Sequence, residues 1–523
     1  MKYIKMLLSR RTLVILLLIL QLWFAVYLIW HASVRYNVAG MLFNIFSIIV
    51  VMYIVNRTDN ESFKLSWVVF VLTAPFVGGA LYFMFRLQSS AHGVRKRMRN
   101  CQRFTREALK QDEEVRREVA MISPAWVDQI NYLIDVPGYP VYNQTETKFL
   151  SDGREYFNQL LAAVKTAERY IFIEIFIIRR GWMWDTLESA LVERANVGID
   201  VRLIYDDMGC FMSLPNNFDK KMRARGIKCV KFNPFRPFWS TLQNNRDHRK
   251  IISIDGKIAF TGGINFADEY VDKVRRFGHW KDAGIMLCGE GAWTFAVLFL
   301  EMWNAVTSSY EDIVFFKPDL DHHRNAWRNI PQNRQPEQKQ AEHGYVQPYA
   351  DSPIDNENTG EYVYRRIISN ARKYIYITTP YLILDHTLIS SLELSAKCGV
   401  DIRIITPAVP DKKLVYLTTR SYYKQLLHAG VRIYEYTPGF IHSKIFVSDD
   451  VTATVGTANF DFRSLYLNFE CGVLLHRSPA VDIIKRDFLE TLEKCREITP
   501  SDCRTNLFIR AVQMFMRFAA PLM

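Results

Sequence analysis

The sequence predicts an α/β protein whose soluble part is built twice over, behind an apolar N-terminal region. Three observations carry this. The first 85 residues hold three long uncharged apolar runs. From about residue 145, short apolar strands alternate with helical segments. A strand–helix–strand phrase in the first half then returns in the second half almost residue for residue.

The runs Leu13–Trp30, Val38–Val55 and Leu65–Phe85 are 18 to 21 residues long and carry no charge. A helix of roughly 20 apolar residues crosses the hydrocarbon core of a bilayer, so all three qualify, the first two narrowly, and two or three transmembrane helices are expected. A cleaved signal peptide is disfavoured for the first, because no small-residue cleavage site follows it and two further runs do. The third contains Ala74-Pro-Phe-Val-Gly-Gly79 and is expected to be kinked or re-entrant. Lys2, Lys5, Arg10 and Arg11 precede the first run, and Arg86, Arg95, Lys96, Arg97, Arg99, Arg103 and Arg106 follow the third. Each cluster argues for the cytoplasmic side. Three complete spans cannot satisfy both: either one run does not cross, or the weaker N-terminal cluster loses. The larger cluster favours a soluble region in the cytoplasm at the inner membrane.

The expected organisation is a membrane region (1–90), a basic juxtamembrane linker (91–140), a first domain (141–310), a polar linker (311–345), a second domain (346–505) and an amphipathic C-terminal helix (506–523). In the first domain Tyr170-Ile-Phe-Ile-Glu174 reads as a buried strand. A helix ends near Asn196-Val-Gly-Ile, and Asp200-Val-Arg-Leu-Ile-Tyr205 is the next strand. The second domain answers with Tyr374-Ile-Tyr-Ile-Thr378, a helix through Cys398-Gly-Val and Asp401-Ile-Arg-Ile-Ile405. Apolar strands alternating with helices indicate α/β units with their central strands covered on both faces.

The net charge of +12 and pI near 9.1 suit a polyanionic partner, either nucleic acid or an anionic membrane. The eight cysteines form no C-x-x-C pair, so no zinc knuckle or thioredoxin-like motif is expected, and they read as free thiols.

Each half delivers one constellation. The first is His248-Arg-Lys250-Ile-Ile-Ser-Ile-Asp255 with Gly262-Gly-Ile-Asn265. The second is His442-Ser-Lys444-Ile-Phe-Val-Ser-Asp449 with Gly456-Thr-Ala-Asn459. His and Lys two apart project from one face of an extended segment. A single H-x-K-x(4)-D is a weak signal. Two copies at the same place in a repeated unit, each trailed by Gly-x-x-Asn, are a strong one. Two imidazoles brought to one site can divide the work of nucleophile and general acid–base.

The duplicated motif resembles that of the phospholipase D superfamily, and the finer match is to bacterial cardiolipin synthases. It rests on Arg246–Gly256, Gly262–Tyr270, Trp280-Lys-Asp282, Thr379-Pro-Tyr381, Arg420–Tyr423, Ala429–Tyr436, Gly439–Lys444, Asn459–Ser464 and Asn468-Phe-Glu470. Ala267 stands where that family usually has Gly, and Ala283 where Thr is common. The resemblance implies two phospholipase D-like α/β/α domains packed as a pseudo-dimer. It implies the catalytic set His248, Lys250, Asp255, His442, Lys444 and Asp449. In that set His248 is the nucleophile forming a phosphohistidine, and His442 is the general acid and then the base. Lys250, Lys444, Asn265 and Asn459 would hold the phosphate, and Asp282 and Glu470 would orient the imidazoles. Asp255 and Asp449 sit about 23 Å beyond their His at full extension, so within the motif they are assigned structural roles. The implied reaction converts two phosphatidylglycerol molecules to cardiolipin and glycerol, without metal, cofactor or nucleotide.

Other readings stay open: a phospholipase D-type hydrolase, a transferase using another lipid such as phosphatidylethanolamine, a nuclease, or an inactive membrane-binding protein. The apolar runs disfavour the nuclease, and phosphatidylglycerol and anionic membrane lipid are the expected partners. A homo-oligomer is compatible with the sequence. At the C-terminus, Phe508, Val512, Phe515, Met516 and Ala519 share a helical face opposed by Arg510, Gln513 and Arg517. Such a helix either docks on the domain or lies on anionic lipid.

Overall fold

The computed structural model describes residues 23, 27, 37–58, 60–86, 89–234, 245–319, 344–355 and 357–522. The chain folds as two compact units. One is the chain before Gly93 together with its last turn from Phe518, and the other comprises Gly93–Pro234 and Asn244–Arg517.

The larger unit contains two mixed sheets of matching order. The first runs Thr145–Leu150, Gly284–Gly289, Ile258–Gly262, Ile251–Ile254, Tyr170–Ile175, Asp200–Asp206, Lys228–Phe232. The second runs Tyr345–Asp351, Asn468–His476, Thr452–Gly456, Ile445–Ser448, Tyr374–Thr378, Asp401–Pro407, Arg432–Tyr436, with Cys495–Glu497 added at the edge. The sequence repeat is thus a repeat of topology. In each sheet the last three of these seven strands are parallel and the others antiparallel. Every residue of Tyr170–Ile175 and Tyr374–Thr378 is buried, which is why both strands read as unbroken apolar runs.

Helix Ala292–Thr307 is buried over nearly its whole length. It packs on the first sheet and reaches Tyr345–Asp351 of the second. Helix Ala480–Leu492 does the reverse, covering the second sheet and touching Thr145–Leu150. This exchange joins the halves around one core.

The segment expected as a basic linker is instead part of that core. Helices Ser89–Ala108, Glu113–Ile122 and Val127–Asp135 fill it, and Met98, Cys101, Ala108 and Leu109 join the central apolar cluster. The Ala108 carbonyl accepts the Trp293 indole N–H at 3.2 Å, and the Thr105 hydroxyl donates to Glu301 at 3.0 Å. The density of arginines there hid an apolar stripe at helical spacing. All eight cysteines are free thiols. The expected linker at 311–345 begins with a 3₁₀ turn, Ile313–Phe316, and positions 320–343 lie outside the described residues.

In the smaller unit the expected spans take a different form. Among the described residues no helix is long and apolar enough to cross a membrane. The first run lies outside the described residues except for Trp23 and Tyr27. The second forms helix Asn37–Val55, 19 residues without a charge, whose side chains are described from Met41 onward. The third is broken at Ala74 into helices Glu61–Thr73 and Pro75–Arg86. Proline has no N–H to continue the first helix but suits the start of the second. The two helices double back on each other. The Trp67 and Tyr82 rings meet edge-on at 5.4 Å, where a straight helix would hold them about 22 Å apart. Gly78 permits this turn, because a Cβ there would lie 2.6 Å from the Val71 Cα. Tyr53 packs its ring on Tyr82 and Phe83, which fastens helix Asn37–Val55 to the hairpin. Outside, the unit exposes Met41, Leu42, Ile45, Ile48, Ile49, Met52, Leu65 and Leu72.

The C-terminal helix is Leu507–Ala519. Met516 is buried, Gln513 donates to the Leu417 carbonyl and Arg517 to Gln425. Phe508 and Phe515 are exposed, so the expected single apolar face is divided between a docked flank and an open one.

Candidate active site

Both His-x-Lys segments leave the ends of matching strands, and backbone pairing between the halves brings them together. Arg246–Asp247 pairs in parallel with Asn468–Phe469, and His279–Lys281 with Gly439–Ile441. The His248 N–H donates to the Phe469 carbonyl at 3.0 Å and the His442 N–H to the Lys281 carbonyl at 2.7 Å. In each case the residue after that carbonyl is an acid from the opposite half. The His248 Nδ1 lies 2.9 Å from both Glu470 oxygens, and the His442 Nδ1 lies 2.7 Å from Asp282 Oδ2. The two histidine–carboxylate pairs are therefore exchanged across the repeat, so neither half holds a complete pair alone.

Asp282 lies beside Gly263, where a Cβ would come within 2.0 Å of its Oδ1, so only glycine fits. The matching position in the second half is Thr457, whose hydroxyl donates to Glu470 Oε2. The longer acid is steadied by the added hydroxyl, and Asn468 Nδ2 donates to its other oxygen at 3.2 Å. Thr457 was not singled out in the sequence. Its signal was there, as the one polar substitution inside the repeated Gly-x-x-Asn.

The residue between His and Lys points away from the site and anchors the segment. Arg249 meets Glu174 at 2.6 Å, and Ser443 donates to Thr378 at 3.0 Å. Glu174 and Thr378 occupy equivalent places at the ends of the central strands. Lys250 and Lys444 each donate to the carbonyl of their own histidine. Asn265 accepts the Ile177 N–H at 3.0 Å and gives one amide N–H to the Tyr270 hydroxyl at 2.7 Å. Asn459 is buried with its Oδ1 unpaired among the described residues. Asp255 and Asp449 hold φ near +52° and +56° in the turns after their strands. Asp255 accepts the backbone N–H groups of Glu168, Arg169 and Tyr170, and Asp449 those of Arg372, Lys373 and Tyr374. Each ties the loop before the central strand, well away from the imidazoles.

The six central groups are almost completely buried, and burial sets their charges. Burial, reinforced by neighbouring Lys250, lowers His248 to about 4 although Glu470 opposes it. Burial and Lys444 lower His442 to about 3 against the pull of Asp282. Burial also lowers Lys250 to about 8 and Lys444 to about 7. For Glu470 and Asp282 burial pushes upward, but the facing histidine and lysine outweigh it and hold both carboxyls below their usual range. Lys444 acts on His248 and Lys250 on His442, so the two motifs form one electrostatic cluster. Aromatic rings wall it: Phe176 sits 4.8 Å from the His248 ring, with Trp280, Tyr270 and Phe440 at 5.4, 5.7 and 5.8 Å from the His442 ring. Among the described residues no group of three His, Cys, Asp or Glu side chains is arranged to hold a metal ion.

A duplicated mixed-sheet fold that brings two His-x-Lys segments into one buried cluster defines the class of phospholipase D-like enzymes. The family model described as cardiolipin synthase, PLD-like domain, matches residues 160–275 and 364–492, and one described as phospholipase D-nuclease N-terminal matches residues 43–86. A cardiolipin synthase of a Geobacillus species is 32% identical over 494 residues, covering 91% of this chain and 92% of its own. An uncharacterized protein of Streptococcus mutans is 37% identical over 478 residues, covering 90% and 99%. The crystal structure of a phosphatidylserine synthase from Haemophilus influenzae superposes with a TM-score of 0.55 over 76% of this chain and 98% of its own. At 12% identity this is a likeness of fold alone. The chain belongs to the cardiolipin synthase family.

Proposed function

We propose that the protein transfers a phosphatidyl group from one phosphatidylglycerol to a second, making cardiolipin and releasing glycerol. The observation that carries this is the exchanged pair of carboxylate-held imidazoles around two buried lysines. His248, with its Nδ1–H held by Glu470, presents neutral Nε2 to phosphorus and forms a P–N bond. The P–O bond to glycerol breaks, and the glycerol oxygen takes the proton from Nε2 of His442. His442, now neutral, takes the proton of the incoming lipid hydroxyl. That oxygen attacks phosphorus, the P–N bond breaks, and His248 returns to its starting state. Lys250 and Lys444 would bring positive charge to the non-bridging oxygens, joined by the remaining amide N–H groups of Asn265 and Asn459. One phosphodiester is exchanged for another, so no energy source is required.

Burial keeps both imidazoles neutral in the resting site. The nucleophile is thus ready, and His442 takes up its acid proton at Nε2 from solvent as the phosphate anion binds and stabilises the charge. The aromatic walls exclude water, which favours an alcohol over hydrolysis of the intermediate. The apolar smaller unit suits a bilayer, and the larger basic cluster, after the third run, argues for the cytoplasmic side. The test is mass spectrometry of lipids after incubating purified protein with glycerol-labelled phosphatidylglycerol in vesicles. Labelled glycerol and cardiolipin in equal amounts support the proposal; phosphatidic acid in place of cardiolipin makes the protein a hydrolase.

A further inference from the structure

The C-terminal helix presents its most apolar stripe to the outside. Leu507, Phe508, Met514 and Phe515 are 84, 76, 67 and 66% exposed, with exposed Ala511 between them. Their spacing of i, i+1, i+4, i+7 and i+8 makes one continuous strip along the helix. The opposite side is fixed. Met516 is buried, Gln513 donates to the Leu417 carbonyl at 3.3 Å, and Arg517 donates to Gln425 at 2.8 Å with its guanidinium 4.4 Å from the Tyr422 ring centre. The Asn506 side chain caps the helix by accepting the Ile509 N–H at 2.8 Å. The helix therefore cannot roll its phenylalanines inward without giving up these bonds.

We infer that this stripe is a second lipid-contacting surface, lying in the interface of an anionic bilayer. Two observations choose lipid over a second copy of the chain. Exposed Arg504 and Arg510 flank the stripe, which places cations at headgroup level beside apolar side chains. The helix also ends in the apolar unit, where the Phe518 carbonyl accepts the Ser66 hydroxyl at 2.8 Å and the final turn, Ala520–Leu522, packs on helix Glu61–Thr73. That helix exposes Leu65 and Leu72, so within the smaller unit the last turn of the chain packs on a helix with an apolar outer surface. The inference rests on the proposed use of bilayer lipid as substrate and adds a contact outside the catalytic cluster.

The full chain carrying a photo-crosslinking benzoylphenylalanine at Phe508, Phe515 or Gln513 is reconstituted in vesicles of phosphatidylethanolamine and phosphatidylglycerol. The His248→Ala background removes any dependence on turnover. Lipid adducts at positions 508 and 515, with intrachain adducts at 513, support the inference. Chain-to-chain adducts at 508 and 515 overturn it in favour of a dimer interface, and the absence of lipid adducts at both overturns it outright. In the chain with His248 intact, Phe508→Ser/Phe515→Ser is expected to lower turnover on vesicles by about tenfold while leaving turnover in detergent micelles unchanged. An equal loss in both overturns the role in bilayer contact. Failure to make cardiolipin in micelles by the unsubstituted chain counts against the proposed reaction and leaves the adduct test intact.

Discussion

Replacing Glu470 by Gln keeps the shape of the group facing His248 and removes its charge. Three donors converge on the two Glu470 oxygens: His248 Nδ1–H, the Thr457 hydroxyl and Asn468 Nδ2. A glutamine supplies one oxygen and one NH2, so in either orientation an amide N–H faces a group that was donating. His248 Nδ1 lies 2.9 Å from both oxygens, so in either orientation the ring keeps one neutral acceptor but loses the charge and meets an amide N–H. The tautomer that exposes a neutral Nε2 is then less favoured. Hydrogen bonds to a charged partner are worth about 1.5–3 kcal/mol, and each 1.36 kcal/mol is a factor of ten in rate. The expected loss in kcat/KM is therefore roughly 10–150-fold, with the protein folded. Asp282→Asn is expected to cost as much through His442. The crosswise pairing is read separately by nitrogen-labelled histidine NMR. The downfield Nδ1–H of His248 should vanish in Glu470→Gln and persist in Asp282→Asn, with the reverse for His442. A Glu470→Gln enzyme within twofold of the parent refutes the reasoning. So does loss of the His248 signal in Asp282→Asn alone.

Three further outcomes follow from the site. His248 and His442 have folded pKa values near 4 and 3, below the unfolded value of 6.5, so the unfolded chain binds more protons in that window. Their contribution to stability is complete above pH 6.5 and is lost as pH falls through those values. Lys250 and Lys444, near 8 and 7 against 10.5, make stability rise from about pH 7 to 10 while activity falls as the ammonium charges disappear. Thermal melts and turnover measured across both windows check this, and parallel rise or fall at high pH contradicts it. Asp255→Ala strips the acceptor from three backbone N–H groups. It should cost about 2–4 kcal/mol of stability while folded protein keeps near-normal turnover, as denaturant unfolding and active-site-normalised assays will show. Gly263→Ala drives a Cβ against Asp282 and should abolish turnover with circular dichroism unchanged.

The repeat, its strands and both motifs were legible because seven strands and one motif recur in each half at matching positions. Tyr170 and Tyr374 begin the central strands as expected, as do Asp200 and Asp401 their neighbours. The placement of Asp255 and Asp449 away from the chemistry was legible from strand length alone. The exchange of Glu470 and Asp282 was not, because it depends on two short parallel pairings between residues about 160 and 220 positions apart. The core role of Met98, Cys101 and Leu109 was masked by the arginines around them. Pro75 announced a break in the third run, but the doubling back depends on Gly78 meeting Val71 and Trp67 meeting Tyr82, contacts that no hydropathy window contains.

The central claim is that His248 carries the phosphatidyl group while His442 handles the protons. Intact-protein mass spectrometry after acid-free quenching, with phosphatidylglycerol as donor, tests it directly. Removing the acid and base slows formation and breakdown by about 100-fold or more, so a phosphatidyl adduct on His248 is expected to persist in His442→Ala and to be absent in His248→Ala. An adduct on His442 in His248→Ala would reverse the roles, and turnover without attachment to either histidine would contradict the covalent route itself.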